Sequence, residues 1–141
     1  MEKSTTNFQL LDNYVSEFNM EVMDKIKYTD SLDINSSVSF SIVNIDEINL
    51  IGQVELTYDI EVNIKEKEAF NIALVMNALF HTDNKISTKS FEELLKFQGA
   101  PIVSNLCLAY INSVTALSGM PPLNMPIIDF NDFFKNSGSK K

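Results

Sequence analysis

The stretch that decides the fold is residues 99–134, GAPIVSNLCLAYINSVTALSGMPPLNMPIIDFNDFF, which carries no charge before Asp129. A membrane span needs about 20 mostly apolar residues in a row. Here serines, asparagines and the Pro121-Pro122 pair interrupt the run. The stretch therefore predicts a helix that is buried by protein, and no insertion into a membrane.

The ends of this helix are marked in the sequence. Pro101 suits the first helical position, and Gly119 suits the left-handed residue just past the end. The apolar surface between them is wider than the ~100° stripe that one core contact requires. We therefore predict a contact between copies of the chain, and a central core helix is the alternative. The predicted interface residues are Asn105, Leu108, Ile111, Asn112 and Thr115.

Four segments before residue 81 show the alternation of apolar and polar residues that is typical of strands. They are predicted over residues 8–22, 38–46, 54–64 and 70–80, with a connection over 25–37. A change of phase near Ile42 indicates a β-bulge. In the first strand Glu17 and Glu21 belong to an acidic row on the face away from the apolar residues.

The remaining helices are predicted from their caps. Ser90 and Glu93 form a capping box for a short helix through Phe97, and Asp129 caps a last short helix. The predicted fold is α+β, a four-stranded antiparallel sheet packed with one long and two short helices. We describe one domain, residues 1–141, with the sheet over 8–80, a helical part over 88–136 and a flexible tail over 137–141.

Composition excludes several classes of function. His81 is the single histidine and Cys107 the single cysteine, and neither CxxC nor HExxH nor a glycine-rich phosphate loop is present. We expect no enzyme, metal or cofactor, an inert buried thiol at Cys107, and a turn histidine at His81, with an acid-base pair to Asp83 as the less common reading. The polar N terminus does not read as a signal peptide, which indicates a cytoplasmic protein.

Charge bears on the choice of partner. Residues 1–68 hold 14 acidic residues against 5 lysines, residues 69–141 hold 5 against 6, and arginine is absent. Because phosphate and base recognition rely heavily on arginine and the acidic half would repel a phosphate backbone, nucleic acid is not an expected partner. A basic protein segment is a better candidate. Solubility accounts equally well for the acidity.

Residues 119–134 resemble the Gly-Phe-Pro-Pro-Leu-x-Leu-x-Pro-(Ile/Val)-Asn-Phe segment of the SecB family of protein-export chaperones. The resemblance extends back through the long helix to residues 79–80 and 69–70, and more weakly to residues 8–10 and Tyr14. The matching residues are Gly119, Pro121, Pro122, Leu123, Pro126, Phe130 and, within its neighbours, Asp132.

The resemblance implies a homotetramer, a dimer of dimers, that holds unfolded precursor proteins without ATP and delivers them to the motor SecA. It implies SecA contacts at Glu17 and Glu21, whereas the family's Leu-x-Glu at the start of the fourth strand falls on Asn71 and Ala73. Some family members serve toxin-antitoxin systems, where the client is an antitoxin. That role is the alternative function. A third possibility, from a different class, is a small-molecule-binding protein in which a curved sheet forms a cup around a helix.

A client groove is predicted from two features of the sequence. The fourth strand is apolar on both faces, and the proline-held segment after Gly119 has little freedom to fold away. Apolar surface is therefore expected to remain open after the core is filled. The predicted groove residues are Phe70, Ile72, Leu74, Phe91, Leu94, Leu123, Met125 and Ile127.

Overall fold

The structure, a computed structural model, describes residues 7–123 and 125–138, without the side chains of residues 137 and 138. Its strands are β1 (Phe8–Val22), β2 (Asp33–Asp46), β3 (Ile51–Ile64) and β4 (Lys67–Thr82). Its helices are α1 (Thr88–Leu94), a π-helical turn (Leu95–Gly99), α2 (Ala100–Leu117) and α3 (Phe130–Gly138). The predicted α+β fold, a four-stranded antiparallel sheet packed with a long helix and a short helix, is confirmed.

The strands pair antiparallel in the order β1-β4-β3-β2, so β1 and β2 form the two edges of the sheet. One face of the sheet is covered by α1 and α2, and we call it the helix-facing side; the other is the open side. Alternate residues of the two central strands fill the core on the helix-facing side. The fully buried members include Val54, Leu56, Tyr58, Phe70, Leu74 and Phe80.

Bulges set which residues of the edge strands face the core. The register of β2 shifts between Ile42 and Asn44, which confirms the predicted bulge. β1 has two further shifts, after Leu10 and after Val15. Uninterrupted alternation would place Tyr14 on the same side as Phe8 and Leu10. Because the extra residue reverses the alternation, Tyr14 pairs with Asn77 and is 53% exposed.

β2 begins at Asp33, inside the region predicted as a connection. Serine and asparagine in residues 35–37 are typical of turns, but they pair in regular register with residues 59–61 of β3. The strong alternation of β3 supplies the partner. The predicted start of the second strand was therefore five residues late.

The two helices predicted around Pro101 are one continuous helical segment, Thr88–Leu117. Its N-cap is Ser87, whose side chain accepts a hydrogen bond from the Ser90 backbone N–H at 3.1 Å, so the predicted capping box at Ser90 was wrong. The π turn ends just before Pro101, and the Ala100 N–H donates to the Leu95 carbonyl. Since proline has no N–H, a wider turn there costs the helix little regular hydrogen bonding.

Two glycines allow the helical segment to lie close to the sheet. A Cβ on Gly52 of β3 would lie 2.7 Å from Leu95 Cδ1, and a Cβ on Gly99 would lie 3.3 Å from Phe80 Cε2. Behind this contact, the Tyr58 hydroxyl and the Ser104 hydroxyl form a buried hydrogen bond of 2.6 Å between β3 and α2.

The predicted end of α2 and the predicted start of α3 are confirmed. Gly119 has a φ of 77°, and the Met120 N–H donates to the Thr115 carbonyl at 2.9 Å, which closes α2. Asp129 Oδ1 accepts from the Asn131 N–H at 3.0 Å and caps α3. The backbone of α3 continues through Gly138, into the predicted tail, and residues 139–141 lie outside the described residues.

Candidate functional site

Five of the eight predicted groove residues lie in the core of the chain. The helices cover the helix-facing side of β4, so the expectation that its apolar residues stay open is wrong. Phe70, Ile72, Leu74, Phe91 and Leu123 are at most 4% exposed. Of the others, Leu94 and Met125 are half-buried, and Ile127 is 93% exposed.

Phenylalanine rings meet instead at the edge of the sheet, beside β2. The ring of Phe134 lies 5.0 Å from that of Phe40 on β2 and 5.5 Å from that of Phe97 in the π turn, both edge to face. Phe97 is 42% exposed. We call this group, with Phe130 and Phe133 of α3, the aromatic cluster.

A cavity lies at the start of β2. It has a volume of about 690 Å³ and is lined by Tyr28, Asp30, Leu32, Ile34, Pro121 and Pro122. Tyr28 is 91% exposed. The connection that contains these prolines also carries the exposed Ile127 and leads to α3, where Phe134 contacts Phe40 of β2. We use the name β2-side surface for the lining of this cavity, the exposed Ile127 and the aromatic cluster taken together.

Sequence reasoning missed Phe40, Phe97 and Tyr28 as members of an open surface. Phe97 was assigned to a short helix and Phe40 to a strand, and neither assignment says which neighbours cover the ring. The side chains of an edge strand are expected to be more exposed than those of a central strand. This signal could be used only if the strand order, which places β2 at an edge, were known.

The open side of the sheet is acidic. The register places Glu21 opposite Asn71, Asn71 opposite Glu61, and Asp59 opposite Ala73. Glu17 is opposite Val75 on the same side. β1, β2 and β3 contain no lysine. The structure therefore brings Glu17 and Glu21 together with Asn71, Ala73 and the carboxylates of β3.

The predicted interface on α2 divides into two groups. Ile111 and Thr115 are buried within the chain, and the Thr115 hydroxyl donates to the Ile111 carbonyl at 2.8 Å. These two residues belong to the core, which corrects their assignment as contact surface between copies. Asn105 and Asn112 are exposed and Leu108 is half-buried.

The outer face of α2 is uncharged from end to end. The exposed residues at helical spacing are Ile102, Asn105, Ala109, Asn112 and Ala116. The segment Thr88–Leu117 is long and apolar enough to cross a membrane by length and composition, and 33% of its most apolar window is buried. Core helices of soluble proteins meet the same test.

His81 is held at both ring nitrogens. Nε2 lies 2.7 Å from Asp83 Oδ1, and Nδ1 lies 3.3 Å from the Leu50 carbonyl oxygen. The hydrogen bond to Asp83 and that to Leu50 raise the pKa of the imidazole. Asp83 also accepts a hydrogen bond from the Asn7 amide. The ring therefore lies near the end of β4, where it contacts the Leu50 carbonyl after the β2–β3 turn, and Asp83 connects it to Asn7, just before β1.

The single cysteine, Cys107, is fully buried. Burial raises the pKa of its thiol to about 12. The thiolate required for nucleophilic attack is therefore scarce at neutral pH, and the interpretation as an inert core thiol is confirmed. No group of three or more His, Cys, Asp or Glu residues that fits a metal ion occurs among the residues that the structure describes.

Comparison with solved structures shows similarity to a Mycobacterium tuberculosis SecB-like chaperone in complex with a ChAD peptide from the HigA1 antitoxin. The TM-score is 0.72 at 13% sequence identity, over 87% of this chain and 91% of that chain. A protein of unknown function from Streptococcus agalactiae gives a TM-score of 0.45 at 16% identity, over 87% of this chain and 99% of that one. The comparison with curated proteins found no match.

At 13% identity, the similarity to the Mycobacterium tuberculosis chaperone shows the fold alone. The family follows from the sequence profile described as preprotein translocase subunit SecB, which matches residues 1–141. A match over the whole chain, on a four-stranded sheet backed by one long helix, means that this protein belongs to the SecB family.

Proposed function

We propose that this protein is an ATP-independent holding chaperone, which binds unfolded or precursor polypeptides in the cytoplasm and passes them to the Sec export machinery. The observation that carries the proposal is the β2-side surface, where Phe97, Tyr28 and Ile127 remain exposed after the core is filled. Family membership supports a chaperone and gives the small-molecule alternative no support.

The chemistry of this surface suits clients of many sequences. Burying a Leu- or Phe-sized side chain contributes roughly 1.5 to 3 kcal/mol without a fixed orientation. When several such contacts are made by one long client, the chain that links them raises the overall affinity above that of any single contact. Holding by this means requires no nucleotide. Of the predicted groove, Leu94, Met125 and Ile127 retain a place in this proposal, now with Phe97 and Tyr28.

The test is the aggregation of a chemically unfolded, slow-folding client without ATP. We expect the protein to suppress aggregation, and we expect Ile127→Ser to weaken the suppression several-fold. Ile48→Ser is the matched control, because Ile48 is 92% exposed on the β2–β3 turn, away from the β2-side surface. Unchanged aggregation at a several-fold excess of the unmodified protein would refute the proposal.

An antitoxin client is the alternative within the same chaperone class. It is favoured by the structural similarity to the Mycobacterium tuberculosis chaperone, whose own ligand is an antitoxin peptide. Protection of an antitoxin, with exported precursors left to aggregate, would support this alternative over the export role.

We also propose that Glu17 and Glu21 contribute to a docking face for a basic segment of SecA. The support is the acidic open side, where β1, β2 and β3 carry carboxylates and no lysine. We expect Glu17→Lys with Glu21→Lys to weaken binding of a SecA tail at low salt, where exposed charges are least screened. Glu93→Lys with Asp132→Lys changes the net charge equally on the helices and serves as the control. Equal affinities for both variants would contradict the docking face.

The assembly proposed for this chaperone is a homotetramer, a dimer of dimers, joined through the uncharged outer face of α2. Asn105, Leu108 and Asn112 are the proposed contact residues. The side-chain amides of Asn105 and Asn112 and the small side chains around them suit a close contact between helices. We therefore propose that the apolar character of Thr88–Leu117 serves this contact and does not indicate insertion into lipid.

A further inference from the structure

Contacts among four residues join the ends of three strands at one corner of the sheet, which we call the His81 corner. Nδ1 of His81 lies 3.3 Å from the Leu50 carbonyl oxygen, and Nε2 lies 2.7 Å from Asp83 Oδ1. The other carboxylate oxygen of Asp83 accepts a hydrogen bond from the Asn7 side-chain amide. The imidazole therefore lies in the middle of a chain of contacts that runs from the turn before β3, through the end of β4, to the residue before β1.

The backbone at Leu50 is strained, and the corner helps to hold it. Its φ is 50°, in the left-handed region that leucine rarely adopts. Its carbonyl oxygen contacts both the His81 ring and the Thr82 N–H, the latter at 3.2 Å. Strain of this kind persists where the surroundings fix the conformation. Loss of the ring contact would therefore remove one of the two groups that hold this carbonyl.

The start of β1 is a short segment that can separate from the rest of the strand. Its first three residues pair with residues 80–82 of β4, and a bulge divides them from the remainder of β1. Because β1 is an edge strand, they pair with one strand only. The Asn7–Asp83 hydrogen bond and the Phe8 ring, which stacks on Phe80 at 4.9 Å, add to this pairing. Edge segments of this kind open locally while the core of a sheet stays paired.

The corner is complete only with a protonated imidazole. The Leu50 carbonyl and the Asp83 carboxylate are both acceptors, so both contacts are hydrogen bonds only when both ring nitrogens carry a proton. A neutral imidazole has one N–H and loses one of the two hydrogen bonds. Asp83 then also loses the opposite charge that holds its carboxylate beside the ring.

The charged residues near the corner are mostly acidic. Glu47 of the β2–β3 turn and Lys85, after β4, line the same cavity as the ring. Farther along the chain, Asp46 ends β2 and Asp12 is the first charged residue of β1. Carboxylates around an imidazole favour its charged form. The neighbouring elements therefore support the protonated corner, with Lys85 as the exception.

We propose that the His81 corner is a pH-dependent latch, which holds the start of β1 on the sheet when the ring is protonated and lets residues 8–10 open when the ring is neutral. Opening moves the Phe8 ring away from Phe80 and Phe91, which are otherwise fully buried. Apolar ring surface then becomes accessible at the β1 edge, the edge opposite to β2. The latch would give the proposed chaperone a control over its apolar surface, and it operates whether or not a client binds.

The direction of the pH effect follows from the contacts. The hydrogen bond to Asp83, followed by that to Leu50, raises the pKa of the folded-state imidazole. The latch is therefore fully closed below about pH 6.5 and opens as the pH rises through the folded-state pKa. Each unit by which this pKa exceeds that of the open corner should change the opening equilibrium about tenfold.

Amide hydrogen exchange by NMR measures the latch in the full-length protein, with rates corrected for the intrinsic effect of pH on exchange. The protection of residues 8–10 is compared about two pH units below and above the measured pKa of His81. We expect it to fall about tenfold for each unit by which that pKa is raised. Residues 18–20, beyond both bulges of β1, should change by less than about twofold.

Two variants separate the latch from a general effect of pH. His81→Gln cannot take up a proton, so the protection of residues 8–10 should no longer depend on the charge of residue 81. Asn7→Ala removes the link to β1 and keeps both ring contacts, so protection there should be low at both pH values. Asp132→Asn, on α3, is the control and should keep the pH dependence of the unmodified protein.

Equal protection of residues 8–10 on both sides of the pKa, or a pH dependence that persists in His81→Gln, would overturn the latch. An equal fall at residues 18–20 would also overturn it, because the whole sheet would then be destabilised and not the corner alone. If His81→Gln does not fold, Asn7→Ala decides the question. A pH dependence as large in Asn7→Ala as in the unmodified protein would mean that the ring does not act on β1 through Asp83.

Discussion

At the scale of single residues, the structure favours the positively charged form of His81. A carbonyl oxygen and a carboxylate both accept hydrogen bonds only, and they face the two ring nitrogens. Both contacts are satisfied together only when both nitrogens carry a proton. Asp83 contacts the ring directly. Glu47 and Lys85 are the other charged residues around it, since both line the same cavity as His81, between the β2–β3 turn and the end of β4.

We therefore predict that the pKa of His81 lies above the ordinary value of about 6.5. A raised pKa in the folded state means that the stabilisation is fully present below about pH 6.5 and is lost as the pH rises through the folded-state value. Because His81 is the single histidine, one imidazole resonance in an NMR titration reports it. Asp83→Asn should lower the pKa, and Asp132→Asn, on α3, should leave it unchanged. A titration at or below 6.5 in the unmodified protein would contradict the prediction.

The residues that sequence reasoning placed correctly are those whose role depends on near neighbours. Gly119 and Asp129 end and begin helices, and both functions are decided within a few residues. Ser90 was misassigned because Ser87, three residues earlier, is also a good N-cap. The choice between two such serines depends on where the connection from β4 ends, which local sequence does not contain.

At the scale of secondary-structure elements, Gly52 controls the distance between β3 and the helical segment. A Cβ there would collide with Leu95 Cδ1 at 2.7 Å and press on Phe91 Cε2 at 3.1 Å. We predict that Gly52→Ala lowers the free energy of unfolding by about 1 to 3 kcal/mol, the range for overpacked cores. Urea denaturation at a fixed protein concentration measures it.

The control for this prediction changes Leu95, the residue with which the added methyl group would collide. Leu95→Val shortens that side chain, so the double variant Gly52→Ala, Leu95→Val should be less destabilised than the sum of the two single variants. Strict additivity would show that the contact with Leu95 does not limit the approach of the helix.

Strands were predicted better than their edges and bulges. Alternation identified β1 over its full length because apolar residues recur from Phe8 at its start to Val22 at its end. The two bulges of β1 were missed, since Leu11 and Ser16 look like ordinary strand residues and only pairing with β4 shows the extra residue. The start of β2 was also missed because it depends on pairing. Its serines form a strand because they pair with β3, and the local sequence does not show this.

At the scale of the whole molecule, the predicted client groove failed where burial depends on distant segments. The apolar alternation of β4 is equally consistent with a groove and with a core. Phe70, Ile72 and Leu74 became core because α1 and α2 cover that side of the sheet. The same limit applies to α2, whose wide apolar surface was recognised while Ile111 and Thr115 were assigned to the wrong side of it.

The last prediction concerns assembly through the outer face of α2. Asn112→Asp replaces an exposed amide by a charge of the same size, in a face that carries no charge from Ile102 to Ala116. If copies meet there, an unpaired charge becomes buried, at a cost of about 3 to 5 kcal/mol by analogy with broken buried ion pairs. Since 1.4 kcal/mol corresponds to about tenfold in an equilibrium constant, the tetramer should dissociate at micromolar concentration.

Light scattering over a range of concentrations measures this change in mass. Asn131→Asp, an equally conservative change at an exposed position of α3, is the control and should leave the mass unchanged. Ile111→Asp is not a usable variant, because Ile111 lies in the core and its replacement would unfold the chain. A monomeric mass for the unmodified protein, or a tetramer that withstands Asn112→Asp, would mean that the outer face of α2 has another use.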